Sequence, residues 1–237
     1  MKRLLPCLFI LLSAAACSEP PGALTGLQRE LFNSDGFLAR HPDVGERKRA
    51  IWLLDQGRHE EALAAFRSAA HYGDKPSQAM LAEMYWQGSR VTQDRATAYA
   101  WMDLAAERGY ALFVAKRERY WRALNPAERQ RALEVGARIY EGFGDEVAMR
   151  RLQTVLDRGR FGVTGSRVGF VGALTVLDPR HGLRFTFDGE DYYDRRFWEI
   201  DRYREFTDAI WSGWPRGEVE VGGATVERCV SGGDCGQ

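Results

Sequence analysis

The chain has 237 residues, of which 45% are hydrophobic and 12% aromatic. That is enough apolar material for one large or two small domains and too much for wholesale disorder. Its 33 basic and 33 acidic residues cancel, so no basic excess points to nucleic acid or to an anionic surface.

Lys2 and Arg3 precede an apolar run, Leu4 to Leu12, and then Ser13-Ala14-Ala15-Ala16-Cys17. These are the parts of a secretory signal over residues 1–16. The apolar run is shorter than the ~20 residues that span a bilayer. Ala14-Ala15-Ala16-Cys17 resembles a bacterial lipobox, with Ala14 where that family most often has Leu. The resemblance implies a diacylglyceryl thioether on Cys17, cleavage before it and acylation of the new amine, a stable membrane anchor. Ala14-Ala15-Ala16 also fits the A-x-A site of a plainly secreted protein, and both outcomes stay open. Ser18 and Glu19 differ from the aspartate that resembles an inner-membrane retention signal. The expected address is the outer membrane, facing the periplasm.

Cys7 would leave with the signal, and the lipobox resemblance assigns Cys17 to the lipid. Cys229 and Cys235 remain, and in an oxidising compartment they can pair to staple a Gly-rich tail. No histidine lies near them and the spacing is not C-x-x-C, so neither zinc nor thioredoxin-like chemistry is signalled.

Residues 17–45 hold the lipidated cysteine, a Pro/Gly-containing tether over Ser18–Gly26 and one short helix near Leu27–Phe32. Residues 46–158 have a uniformly helical texture. A helix over His59–Tyr72 ends at Gly73, and Pro76 opens one that runs to Trp86. Thr92 caps a helix over Gln93–Arg108. Asn125-Pro126-Ala127-Glu128 is a capping box opening a helix to about Tyr140. A last helix covers Glu146–Asp157. From Gly159 the texture changes, and residues 159–237 read as a small α+β segment. There, Val168–Leu177 and Leu183–Phe187 pair as strands, Phe197–Trp211 forms a helix, and Glu218–Val221 and Ala224–Glu227 form a hairpin about Gly222-Gly223.

The helical part repeats. A shift of 36 residues places Ala62 on Ala98, Ala64 on Ala100, Ala69 on Ala105, Ala70 on Ala106 and Gly73 on Gly109. The alanines let helices approach closely and the glycine ends each helix at a left-handed cap. Glu61-Ala62-Leu63-Ala64-Ala65-Phe66-Arg67-Ser68-Ala69-Ala70 before Gly73 resembles the end of a Sel-one-like repeat. Ala79-Met80-Leu81-Ala82-Glu83-Met84-Tyr85-Trp86-Gln87-Gly88 resembles the start of the next. Val91, Asp94, Ala98-Tyr99-Ala100-Trp101-Met102, Ala105-Ala106-Glu107 and Gly109 complete it. Ala82 departs from the usual glycine, and after Gly109 only Tyr120-Trp121 keeps its place. The resemblance, spanning His59–Gly109, implies a mainly α protein with a short α/α solenoid that mediates protein–protein contacts. Tyr85, Trp86, Tyr99 and Trp101 sit near family core positions, and any left on the concave face are possible partner contacts.

No catalytic constellation survives inspection, and no metal or cofactor is expected. His59-Glu60 fails as H-E-x-x-H because Leu63 occupies the second histidine position. Gly165-Ser166-Arg167-Val168-Gly169 is not G-x-S-x-G, and the glycine series lacks the Gly-Lys-Ser/Thr of a phosphate loop. His41, His59, His71 and His181 are scattered and read as surface or capping residues. The acidic stretch Asp188–Asp194 lacks EF-hand spacing and reads as a solvated loop. Tyr192, Tyr193, Phe197, Trp198, Tyr203, Phe206, Trp211 and Trp214 form an aromatic run.

Two functions follow. The first is a membrane-tethered adaptor for another envelope protein or a peptide. The alternative is a glycan or peptidoglycan module, with the aromatic run as a stacking platform. A short array leaves an apolar end, here Ile139, Leu152 and Leu156. Val168–Glu227 is expected to cover it.

Overall fold

The computed structural model describes residues 24, 26–88, 91–161, 174–178, 183–187 and 189–212. The described chain is mainly helical. Two short helices, α1 (Gly26–Asn33) and α2 (Asp35–Leu38), lead into α3 (Pro42–Asp55), α4 (His59–Ala70), α5 (Lys75–Gln87) and α6 (Arg95–Ala105). A 3-10 turn, Ala106–Arg108, precedes α7 (Ala111–Ala123), α8 (Pro126–Phe143) and α9 (Asp145–Phe161). Strands β1 (Leu174–Asp178) and β2 (Leu183–Phe187) and helices α10 (Gly189–Tyr192), α11 (Arg195–Trp198) and α12 (Ile200–Ser212) follow.

Helices pack as neighbours in sequence: α3 on α4, α4 on α5, α5 on α6, and α6 on both α7 and α8. Four connections in succession turn on a left-handed glycine, Gly57, Gly73, Gly88 and Gly109. At Gly73 the requirement is double, because φ is +78° and an added Cβ would strike Met149 at 2.3 Å. Aspartates open the next helices. Asp74 accepts the Ser77 N–H at 3.0 Å and Asp94 accepts the Thr97 N–H at 3.0 Å. The cap of α6 is therefore Asp94 and not Thr92, whose position precedes the helix by three residues. The Asn125–Glu128 capping box is formed in both directions, at 2.9 and 2.8 Å. The glycine device stops after α6, where the Sel-one-like pattern also fades.

Alanines line the contacts of this stack. Ala62, Ala65, Ala70, Ala98, Ala105 and Ala106 are buried with Leu81, Trp101, Met102 and Leu104, and Ala69 is buried as well. Ile139 belongs to this core. A second core joins the two ends of the described chain. Leu31 and Phe37 meet Leu152 and Leu156 of α9 and Phe197, Trp198, Tyr203 and Phe206 of α11 and α12.

The second core corrects the expected segmentation. A boundary after residue 45 falls inside α3. A boundary at Gly159 falls inside α9, and that glycine is a point of close approach: an added Cβ would lie 2.6 Å from the Trp198 ring. The apolar end at Leu152 and Leu156 is covered jointly by the N-terminal helices and by α11 and α12. The single helix expected over Phe197–Trp211 breaks at Glu199, whose backbone is extended. The break lets Phe197, Trp198, Tyr203 and Phe206 all turn inward. A separate small α+β segment is not what the described residues form. Apart from the antiparallel β1–β2 pair, with Val176 opposite Phe185, they are helical. The hairpin expected at residues 218–227 lies outside them.

Two packing predictions follow from these contacts. Ala105→Leu should overpack the stack and cost ~1–3 kcal/mol, while Ala64→Leu at an exposed site of α4 should leave the melting temperature nearly unchanged. Equal melting of both variants would contradict the close helix contact. In a free helix, Gly→Ala gains up to about 1 kcal/mol. Gly142→Ala, where nothing lies within 4 Å, should show that gain. Gly159→Ala should reverse it and lower the melting temperature, because the Trp198 ring must move; a stabilised Gly159→Ala would refute the close approach.

Candidate functional site

Two polar features stand out. One is a buried charge network between the helix stack and α12. The Lys75 side chain is fully buried at the start of α5 and pairs with Glu107 at 2.6 Å and Asp145 at 2.9 Å. Its ammonium also donates to the Leu104 carbonyl at 3.1 Å. Arg108 pairs with Asp145 at 2.7 Å and with Asp208 at 3.1 Å, and the Tyr110 hydroxyl donates to Asp208. Arg47 pairs with the buried Asp74. The Tyr203 hydroxyl donates to Asp43 at 2.6 Å.

Burial shifts the titrations here. It pushes the Asp145 carboxyl up, but the hydrogen bond and charge of Arg108 and the charge of Lys75 prevail and hold it below its ordinary range. Asp74 goes the other way, raised by burial despite Arg47 and Ser77. Beside the network lies a cavity of about 160 Å³, lined in part by Asp43, Arg47, Arg108, Tyr203 and Trp211. Every charged group named in it has a protein partner, so the network holds helices together.

The second feature is an open groove of about 220 Å³ between the helix stack and α8. Helix α4 contributes Arg67, α5 contributes Tyr85, and α6 contributes Thr97 and Trp101. The far wall is Val135, Arg138, Ile139 and Phe143 of α8. Trp101 forms the floor and meets Phe143 edge-on at 4.9 Å. The Arg67 guanidinium lies 5.9 Å from the Trp101 ring and 5.4 Å from the Phe143 ring. Both arginines are exposed, and the lining contains no acid.

The four aromatic residues expected as possible partner contacts do not share one face. Tyr85 is half-buried and lines the groove. Trp101 is only 1% exposed, so it shapes the floor and offers a partner almost no surface. Trp86 stacks on Tyr120 at 3.9 Å, and Tyr99 lies 4.9 Å from Trp121; both pack toward α7. Ala69, Ala70, Ala105 and Ala106 are buried, and Gly73 and Gly109 take left-handed backbone. Cys17, Cys229 and Cys235 lie outside the described residues. Arg67, Arg138 and the Lys75 network carry no sequence signal, since their partners and neighbours come from other helices.

The aromatic run is core where it is described. Phe197, Trp198, Tyr203 and Phe206 are buried, Tyr192 and Tyr193 pack against them, and the Trp198 indole donates to the Tyr192 carbonyl at 2.5 Å. Those four buried rings offer no open face to a sugar. The acidic stretch is also not a free loop: Gly189–Tyr192 is helical, and Asp194 caps α11 and pairs with Arg196. Among the described residues, no group of three His, Cys, Asp or Glu is placed to hold a metal ion. His41 is buried and not a surface residue. Its ring stacks on Phe37 at 3.7 Å, with Nδ1 3.0 Å from the Phe37 oxygen and Nε2 2.8 Å from the Phe197 oxygen.

No family model matches the chain, and no curated protein matches it. Among solved structures, it is similar to a protective antigen present in uropathogenic Escherichia coli strains, described as displaying an SLR fold. The identity is 23% and the TM-score 0.42, over 54% of this chain and 27% of that one. The chain thus spans well under two thirds of that protein's length. Among the described residues no helix is long and apolar enough to cross a membrane.

The buried histidine makes stability depend on pH. Burial pulls His41 below its ordinary value, against the Asp43 charge and the two carbonyls. His71 shifts the same way, through partial burial and the Arg151 charge. The folded state therefore binds these protons less readily than the unfolded chain. The stability they contribute is present above the unfolded value of about 6.5 and is lost as pH falls through the lower folded value. The melting temperature should drop as pH is lowered from about 7 to about 5, and His41→Gln should flatten that slope. An equal slope in both proteins would show that His41 does not titrate there.

Proposed function

We propose that the chain is a membrane-tethered interaction module of the Sel-one-like type, which binds another envelope protein or a peptide in the groove between α4, α5, α6 and α8. Its work is binding and not catalysis. The observation that carries this reading is the groove itself. The Lys75 network spends its charges on the fold, whereas the groove arginines meet no carboxylate among the described residues. A cleft with an apolar floor and a few unspent polar groups is the usual form of a binding site. The 36-residue repetition and the helix pairs support the repeat reading. The Ala14–Cys17 resemblance supports a lipid anchor at Cys17, at the outer membrane and facing the periplasm. There the tether raises the local concentration for nearby partners, and Cys229 pairs with Cys235.

The test is photocrosslinking in cells. A photoreactive side chain at Tyr85 or Val135 should give a discrete adduct, and one at the exposed Arg150 of α9 should not. Replacing Cys17 by Ser should release the protein from membranes and diminish the groove adduct. Indistinguishable patterns at groove and control positions would overturn the interaction reading. Unchanged fractionation of the Cys17→Ser protein would overturn the tether alone.

A further inference from the structure

The groove's charge says what kind of partner fits it. The Arg67 guanidinium lies beside two aromatic rings, and its N–H groups donate to no partner among the described residues. Arg138 faces the same cavity from α8. Neither arginine has an ion pair among the described residues. Glu134, one turn before Arg138, accepts instead from Gln130 at 3.0 Å. Two guanidiniums therefore look across one cleft whose remaining walls are Tyr85, Val135, Ile139 and a buried tryptophan floor. Other described cations, such as Arg119 and Arg122, also lack an acid partner among the described residues, but only Arg67 and Arg138 line this groove together.

Resting on the interaction reading above, we infer that the groove takes an acidic peptide segment. Its carboxylates meet Arg67 and Arg138, and an adjacent apolar side chain packs on the half-buried Tyr85, Val135 and Phe143. Planar, doubly donating guanidiniums match carboxylates in pairs of parallel hydrogen bonds. The partly desolvated floor strengthens those bonds relative to open water. The apolar wall asks for one nonpolar residue next to the acids, since a purely charged strand would leave it wetted.

The test is selection from a random nonapeptide display library on the full mature protein, beside an Arg67→Gln/Arg138→Gln variant and a groove-filled Val135→Trp variant. All three should be checked for unchanged helical content and melting. Peptides that bind the parent protein but not the groove-filled one should be enriched in Asp and Glu. They should bind the double-Gln variant at least roughly tenfold more weakly, and should lose affinity as salt is raised. Groove-dependent peptides without acidic enrichment, or equal binding to the double-Gln variant, would overturn the acidic-partner inference while leaving the groove as a binding site. Selection that is the same on the groove-filled protein would overturn both.

Discussion

A lysine ammonium buried without solvent sets the terms for much of this structure. Moving such a charge out of water costs several kcal/mol even after relaxation. It is tolerable only where carboxylates and a carbonyl close around it, and here those come from three places: Leu104 of α6, Glu107 of the following turn and Asp145 of α9. Asp145 in turn binds Arg108, and Arg108 reaches Asp208 on α12. One buried charge thus fixes where the second half of the chain sits on the first. Removing a single partner from such a set costs about 3–5 kcal/mol, whereas an apolar replacement of the whole set is often neutral or better. The network therefore specifies an arrangement more than it adds stability.

The two cores divide the labour. The alanine-rich one is made mostly by neighbours in sequence, with α8 returning onto α6, and needs small side chains at repeated positions. The aromatic one is made by the two ends of the described chain, and the cover that α11 and α12 give to α9 is completed by Leu31 and Phe37. This is why boundaries drawn from composition fail here. A change of texture at Gly159 marks a change in residue supply, yet α9 continues through it because the glycine makes room for Trp198.

What was legible in the sequence was local. The capping box at Asn125, the glycine turns and the alanine register are each written within a few residues or one repeat, and periodicity exposes them. The cap read from the sequence falls two residues early because Thr92 is also a capping type, and the bond from the Thr97 N–H to Asp94 decides between them. The burial of Trp101, the bridging role of His41 and the Lys75 network depend on partners 29 to 156 residues away. A helix face viewed alone does not say which neighbour will cover it. Arg67 and Arg138 lie 71 positions apart in the sequence and become a pair only once α8 folds back against α4–α6.

The bond between Tyr203 and Asp43 spans 160 residues, and this has a consequence for the time course of folding. Loop closure entropy grows only slowly with length, so joining such distant ends adds little penalty at equilibrium. Kinetically the effect is larger, because contacts between distant residues form late. A chain made from its N-terminus can stack α3–α6 as soon as they emerge, while Leu31, Phe37, Leu152 and Leu156 wait for the last helices. During that interval the unfinished molecule carries an uncovered apolar face, the state most open to aggregation and to capture by a chaperone.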